Sequence, residues 1–289
     1  MPITYNNLYL DIRQELRQAG LTGATLEARE LVCFGSGKTR EELFRDSQLY
    51  VSPEVESRVR DLVRRHLSGE PVAYLIGEWE FYGLPLDISE AVLIPRVDTE
   101  VLAGEAISYL KTLENCRVLD LCAGSGCIGL AVASRVKDAK VTLADVSLEA
   151  LAVAKENAAL NKLTGRVRCV QADARKPAFP FLGKYDLIVS NPPYITGAEL
   201  LELPVSVKDY EPHLAFYGGE DGLDFYRAIA KNFVPALKPG GFLCFEFGMG
   251  QGDDVCRILE ENGYTILERT RDYNDRERAV LAQYGRKED

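Results

Sequence analysis

Over the first 70 residues the apolar positions keep a helical beat. Leu8, Ile12 and Leu16 recur every four residues, and Val55, Val59, Leu62 and Val63 share one face of a later helix. Ser52 and Pro53 mark where that later helix starts: a serine oxygen accepts a free backbone N–H, and proline in the first turn lacks only a bond that would be missing anyway. The stretch "LSGEP" ends it. In "IGEWEFYGLPLDIS" the period shortens, with Trp79 and Phe81, then Leu84, Leu86 and Ile88, alternating around Gly83 and Pro85, as in a two-stranded hairpin. From about residue 98 strand and helix alternate through "CRVLDLC", "AKVTLAD", "GRVRCVQAD" and "YDLIVS", and after an insertion over 195–222 through "GGFLCFEFG", "YTILERT" and "RAVLAQYG". Strands that are apolar throughout, each followed by a helix, predict an α/β fold with a mostly parallel sheet covered on both faces. The last two strands are close enough in sequence to pair as an antiparallel hairpin at the sheet edge. The expected organisation is a helical domain over 1–72, a β-hairpin linker over 73–95 and an α/β domain over 96–289.

Charge narrows the partners. With 44 acidic against 34 basic residues, a net charge of -10, the surface as a whole repels nucleic-acid phosphates. Seven cysteines occur with no CxxC pair, several inside apolar runs, which suits a reducing cytoplasm. The start "MPITYNNLYLDIRQEL" has neither a basic leader nor an apolar block, and no stretch reaches the roughly 18 apolar residues of a membrane span. The two histidines, His66 and His213, read as structural or exposed, and no cluster has metal-ligand spacing.

The chemistry is concentrated at strand ends. The first strand of the α/β domain runs into "DLCAGSGCIGL", where Gly124 and Gly126 permit positive φ and close backbone approach, and "GSGCIG" has the GxGxxG spacing of a dinucleotide turn. Asp145 closes the second strand roughly 20 residues later, where an acidic side chain usually holds ribose hydroxyls. Together they place a nucleoside in the crevice at the carboxyl ends of the strands, whereas taken separately they describe a tight turn and a helix cap. Asp120, inside the strand, is placed to order the loop by bonding its backbone amides. Asp173, in "VQADARK", lies beside the nucleoside base or makes a turn.

The fourth strand stops on "VSNPPYI". Asn191 offers one acceptor and two donors, Pro192 a carbonyl without a competing N–H, and Tyr194 a flat face for stacking, with Pro193 stiffening the turn between. These groups suit a planar –NH2, whose two hydrogens would be taken by the acceptors. An ordinary type I turn is the bland alternative.

"DLCAGSG", "LADVS", "VSNPPY" and "VLIPRVDTE" resemble the class I methyltransferases, Rossmann-like seven-stranded enzymes that alkylate an amide or exocyclic amine with S-adenosylmethionine. The helical N-terminus, "GEWEFYGLPL", "LIPRVDTE", "NPPY" and "DYNDRERAV" together resemble, over nearly the whole chain, the PrmC (HemK) family, which methylates the glutamine amide in the GGQ motif of peptide chain release factors. The resemblance implies S-adenosylmethionine as cofactor, leaving as S-adenosylhomocysteine. It sets Cys122, Ala123, Gly124, Ser125 and Gly126 against the methionine part, Asp145 on the ribose, and Asp173 and Ala174 beside the adenine. It makes Asn191 and Pro192 the catalytic groups, with Pro193 and Tyr194 on the substrate and Asn191 shared with the cofactor. The chain departs from the family at Cys122, where glycine is usual, and at Ala174, often bulkier. Arg96 and Glu100 help to close the site, or else anchor the inter-domain joint and begin a helix. The implied protein is a cytoplasmic monomer with a release factor as partner, docked by the helical domain, and with no membrane or nucleic-acid target. Its nearest rivals are methylation of a ribosomal-protein glutamine or of a flipped-out adenine amine, and from another class a non-catalytic nucleoside-binding adaptor.

Overall fold

The structure is a computed structural model and describes residues 2–285, so the last four residues of the expected α/β domain lie outside the described residues. The chain forms two compact units. One runs to Gly77 and takes in Pro204–Tyr210; the other holds Glu78–Leu203 and the chain from Glu211 onward.

The first unit is helical, with helices Tyr5–Gln18, Ala24–Ser36, Arg40–Arg45, Pro53–Leu67 and Val72–Ile76. Leu8, Ile12 and Leu16 are fully buried against Ala28, Leu31 and Val59, each side chain worth about 1.5–3 kcal/mol of transfer free energy. Two starts are capped as their sequences require: Thr4 Oγ1 accepts from Asn7 N and Ser52 Oγ from Val55 N, both at 3.3 Å. Gly35 lets two helices cross closely, since a Cβ there would lie 2.5 Å from Val59 Cγ2. His66 is buried, its Nδ1 2.8 Å from the Glu70 carbonyl and its Nε2 3.4 Å from Glu27 Oε2, which is a structural role. The short helix Val72–Ile76 has no counterpart in the sequence reading, because five residues are too few to show a period.

The second unit begins with a hairpin of β1 (Glu78–Phe81) and β2 (Leu84–Asp87). Phe81 pairs with Leu84, and the two residues between them, Tyr82 and Gly83, have φ of 53° and 76°. A two-residue loop with both φ positive is a type I′ turn, whose twist matches the strands. Asn157, fully buried on the helix Leu148–Leu160, brackets the end of β2: Asp87 N donates to its Oδ1 at 2.6 Å and its Nδ2 donates to Asp87 O at 3.1 Å.

Seven further strands form one sheet: β3 (Arg117–Leu121), β4 (Lys140–Asp145), β5 (Val167–Gln171), β6 (Tyr185–Ser190), β7 (Leu237–Glu246), β8 (Tyr264–Arg271) and β9 (Glu277–Tyr284). Their order is β5-β4-β3-β6-β7-β9-β8, the first five parallel and β9 antiparallel to both neighbours. The terminal hairpin therefore sits at the edge as its short connection requires, with β9 inserted between β7 and β8. Helices on both faces bury the sheet, and the residues of β3 and β6 from Val118 and Leu187 on have almost no exposure. The chain winds outward from β3 to β5 and then returns to β6 on the other side of β3. The carboxyl ends of β3 and β6 thus flank the reversal point where open sheets form a binding crevice. No helix among the described residues is long and apolar enough to cross a membrane.

Candidate active site

Past the end of β3 the backbone turns sharply, with Cys122, Gly124 and Gly126 at φ of 62°, 52° and 80°. The two glycines are required for different reasons. A Cβ on Gly126 would lie 2.8 Å from Leu143 Cδ1, so its absence lets the helix Cys127–Arg135 pack on the sheet. A Cβ on Gly124 would meet nothing within 4 Å, so there it is the left-handed backbone that selects glycine. Cys122 holds the same kind of conformation with a side chain, at a cost of roughly 1–2 kcal/mol.

Asp145 ties this loop to β4. Its Oδ2 accepts from Gly124 N at 2.9 Å and its Oδ1 from Ser147 N at 3.0 Å, while Ser147 itself caps the next helix through Ala150 N. Burial raises the Asp145 carboxyl above its ordinary value, and the bonds from Ser147, Gly124 and Val146 amides oppose the rise. Asp120 acts differently from the expectation: its Oδ2 takes the Gly129 N–H at 2.8 Å, inside the following helix rather than in the loop. The reason is register, since Asp120 stands opposite Leu143 and one residue short of the strand end.

A cleft open to solvent lies over these strand ends. Cys122, Gly124, Asp145, Asp173, Ala174, Asn191 and Pro193 all line it. Ala123, Ser125, Gly126, Pro192 and Tyr194 are not among its lining residues. Asp173 holds a turn, its Oδ1 accepting from Arg175 N at 3.0 Å. Burial works against its ionisation, but the Arg175 amide and guanidinium prevail and its carboxyl is held below the usual range. Beside Ala174 the cleft is walled by Arg175 and by Phe225 of the helix Asp224–Asn232, the guanidinium 5.6 Å from the ring centroid.

At the end of β6 Ser190 Oγ donates to Leu121 O at 2.6 Å, locking β6 to β3 just before the turn. Asn191 follows, its Nδ2 donating to Thr99 Oγ1 at 3.3 Å. The turn is gripped from behind. Gln251 Nε2 donates to Tyr194 O at 3.0 Å, and Gly218 and Gly222 pass so close that a Cβ would lie 2.7 Å from Pro193 O and 2.4 Å from Tyr194 O respectively.

This geometry has known relatives. Residues 98–204 match the methyltransferase small domain family and residues 7–77 the PrmC N-terminal domain family. The "Release factor glutamine methyltransferase" of Geobacter sulfurreducens is 37% identical, the alignment covering 94% of both chains. The chain belongs to the release factor glutamine methyltransferase family. The protein of that name from Fusobacterium nucleatum is 41% identical over 81% of this chain, a match that spans 66% of the relative's own length. A solved methyltransferase from Pyrococcus furiosus, 18% identical, superposes with a TM-score of 0.51 over 77% of this chain and 97% of its own, a likeness of fold alone.

Family and fold imply S-adenosylmethionine as methyl donor, and the cleft fits that group. Gly124 leaves open the space a side chain would fill. The Gly124, Ser147 and Val146 amides occupy three of the roughly four lone-pair sites of the Asp145 carboxylate, which leaves one for a ribose hydroxyl.

Several site residues of this family member carry no local signal. Asn157 is one: its Nδ2 also donates to Ser125 O at 3.0 Å, joining the hairpin to the glycine loop. Thr99 and Phe225 are others. Glu246, at the end of β7, does carry one, a charge inside the apolar run "FLCFEFG". Within this unit Arg96 pairs with the buried Glu211, which also accepts Ile94 N at 3.1 Å, and Glu100 Oε1 accepts Tyr82 N of the hairpin turn at 2.7 Å.

Proposed function

We propose that this protein transfers a methyl group from S-adenosylmethionine to the side-chain amide nitrogen of the glutamine in the GGQ motif of peptide chain release factors. The observation that carries the reading is Asn191. Its Nδ2 is tied back to Thr99 Oγ1, which leaves Oδ1 as an acceptor in the same cleft as Gly124 and Asp145. An amide nitrogen is a poor nucleophile because its lone pair is delocalised. Asn191 Oδ1 and the Pro192 carbonyl accept the two amide hydrogens, hold the group's plane and turn the nitrogen toward the methyl donor. Orientation of this kind is worth roughly 7–11 kcal/mol when the reacting atoms are held about 3–3.5 Å apart. When bound, S-adenosylmethionine would supply an electrophilic methyl carbon on its sulfonium sulfur and leave as S-adenosylhomocysteine, the amide giving up one of its two hydrogens to solvent. Asp145 would bind its ribose hydroxyls, the loop at Cys122 and Gly124 would follow its methionine part, and Asp173, Ala174, Arg175 and Phe225 would wall the adenine.

The helical unit docks the release factor. It exposes large apolar side chains, Phe44 at 85% and Tyr50 at 70%, of the kind that anchor protein–protein contacts. The protein acts in the cytoplasm as a monomer on a protein rather than on nucleic acid, in keeping with its net charge of -10. Replacing Asn191 tests the clamp. Asn191→Ala should lower kcat for methyl transfer by about a hundredfold, the usual worth of one preorganised polar contact to a reacting group, with the thermal midpoint kept. Wild-type turnover in a folded, cofactor-binding Asn191→Ala protein rules the clamp out.

A further inference from the structure

We infer that Thr99 and Glu246 are positioning residues that decide which way round the Asn191 side-chain amide lies in the cleft, presenting its oxygen rather than its –NH2 to the substrate. The inference rests on the methyltransferase reading of the cleft and adds the device that orients the clamp. A carboxamide rotated by half a turn exchanges an acceptor for two donors with little change in shape. Only the acceptor can bind a substrate –NH2, so the orientation must be enforced from behind.

The groups behind Asn191 form a directional chain. Asn191 Nδ2 donates to Thr99 Oγ1 at 3.3 Å. Thr99, 3% exposed, opens the helix Thr99–Leu110, and the Glu246 side chain lies close enough to its hydroxyl for the hydroxyl to pull the carboxyl down. Glu246 is 2% exposed, and its Oε2 has no hydrogen-bond partner. An ionised carboxylate only accepts. Thr99 must then donate to it and is left with lone pairs, which draw the Asn191 –NH2 and turn Oδ1 outward. A protonated Glu246 can itself donate to Thr99, freeing the threonine hydrogen for Asn191 Oδ1, and the flipped amide gains a bond.

A purely structural ion pair is the obvious alternative for a buried glutamate. Arg278 is the nearby cation, but it pairs with Asp98 and Asp272, at 3.2 Å each, and no ion pair joins it to Glu246 among the described residues. The other titratable groups around Glu246 are the Tyr194 and Tyr226 hydroxyls and the Cys127 thiol, and Tyr226 Oη donates to the Glu246 backbone carbonyl at 2.9 Å. Burial pushes the Glu246 carboxyl up to about 7; Thr99, Arg278 and Tyr194 pull it down and Asp98 pushes it further up. Its charge, and with it the orientation of Asn191, changes near neutrality.

Two measurements on the full chain test this. In the first, the side-chain amide signals of Asn191, assigned by their loss in Asn191→Ala, are followed by 15N NMR against pH without any substrate. They should titrate near pH 7 in the wild type and not in Glu246→Gln; identical titrations in the two proteins overturn the inference whatever the substrate. The second uses methyl transfer. Wild-type kcat should rise with pH through about 7, and Glu246→Gln should lack that limb, with kcat at pH 8 lower by about tenfold to a hundredfold, the worth of one hydrogen bond to a charged group, and KM for the cofactor unchanged. Thr99→Val should lose as much as Glu246→Gln, and Thr99→Ser should recover most of it. A folded Glu246→Gln protein with wild-type kcat and an unchanged neutral limb overturns the inference. Failure of the wild type to methylate a release factor counts against the functional reading alone, because the NMR titration needs no acceptor.

Discussion

Asp120 allows a sharp physical prediction because the sheet gives it no exposure at all. Its carboxyl is pushed from 3.8 up to about 7, first by burial and then by the Asp145 charge, with the Gly129 N–H pulling it back. A carboxyl whose folded pKa is raised contributes stability that is fully present below the unfolded value and is lost as pH rises through the folded one. The wild type therefore loses up to about 1.4 kcal/mol per pH unit from this group, or about 4 kcal/mol between its two pKa values. Asp120→Asn removes the titration and keeps an acceptor for Gly129 N, but leaves an amide –NH2 where Oδ1 has no partner, at a cost of about 1–3 kcal/mol. Between pH 5 and 8 the variant should gain about 2–3 kcal/mol on the wild type. Urea unfolding followed by circular dichroism across that range measures the difference, from which the titration of Glu246 cancels. Parallel stability curves for the two proteins would refute the argument that Asp120 is buried without a compensating charge.

Two further predictions bear on the clamp and on docking. Gly218→Ala places a Cβ 2.7 Å from the backbone at Pro193 O and Tyr194 Cα, so the turn must shift; kcat should fall by at least about tenfold while stability drops by about 1–3 kcal/mol, and unaltered kcat with wild-type stability contradicts the close packing. Phe44→Ala should raise KM for a release factor several-fold in steady-state assays and leave KM for S-adenosylmethionine unchanged, whereas equal effects on both remove the helical unit from substrate docking.

The parts of this protein that were legible in the sequence are those whose cause is local. The four-residue beat of Leu8, Ile12 and Leu16, the apolar strands with their helices, and the alternation around Gly83 each follow from neighbours a few residues away, and each element formed. The glycine loop, Asp145 and "NPPY" were visible because strand ends need unusual residues for unusual backbone. What stayed hidden depends on contacts between distant segments. Asn157 lies in the alanine-rich run "AKENAAL", where nothing distinguishes it from a solvated helix position, yet its partners Asp87 and Ser125 are 70 and 32 residues away. Thr99 looks like an ordinary helix start until Asn191, 92 residues on, is placed against it. Gly218 and Gly222 sit in "YGGEDG", which reads as a plain turn, and their necessity appears only when the backbone of Pro193 and Tyr194 runs beside them. Asp120 was misread for the same reason: strand register, which the sequence does not state, sets its partner one helical turn beyond the loop.

Methylation of a release-factor glutamine is tested most directly by locating the transferred methyl group. Purified protein should be incubated with S-adenosylmethionine carrying a labelled methyl group and a release factor, and the digested product mapped by mass spectrometry. Label is expected on the glutamine of the GGQ motif and none on a GGA variant. Label on a ribosomal-protein glutamine or on adenine in a nucleic acid, with none on the release factor, would contradict that assignment.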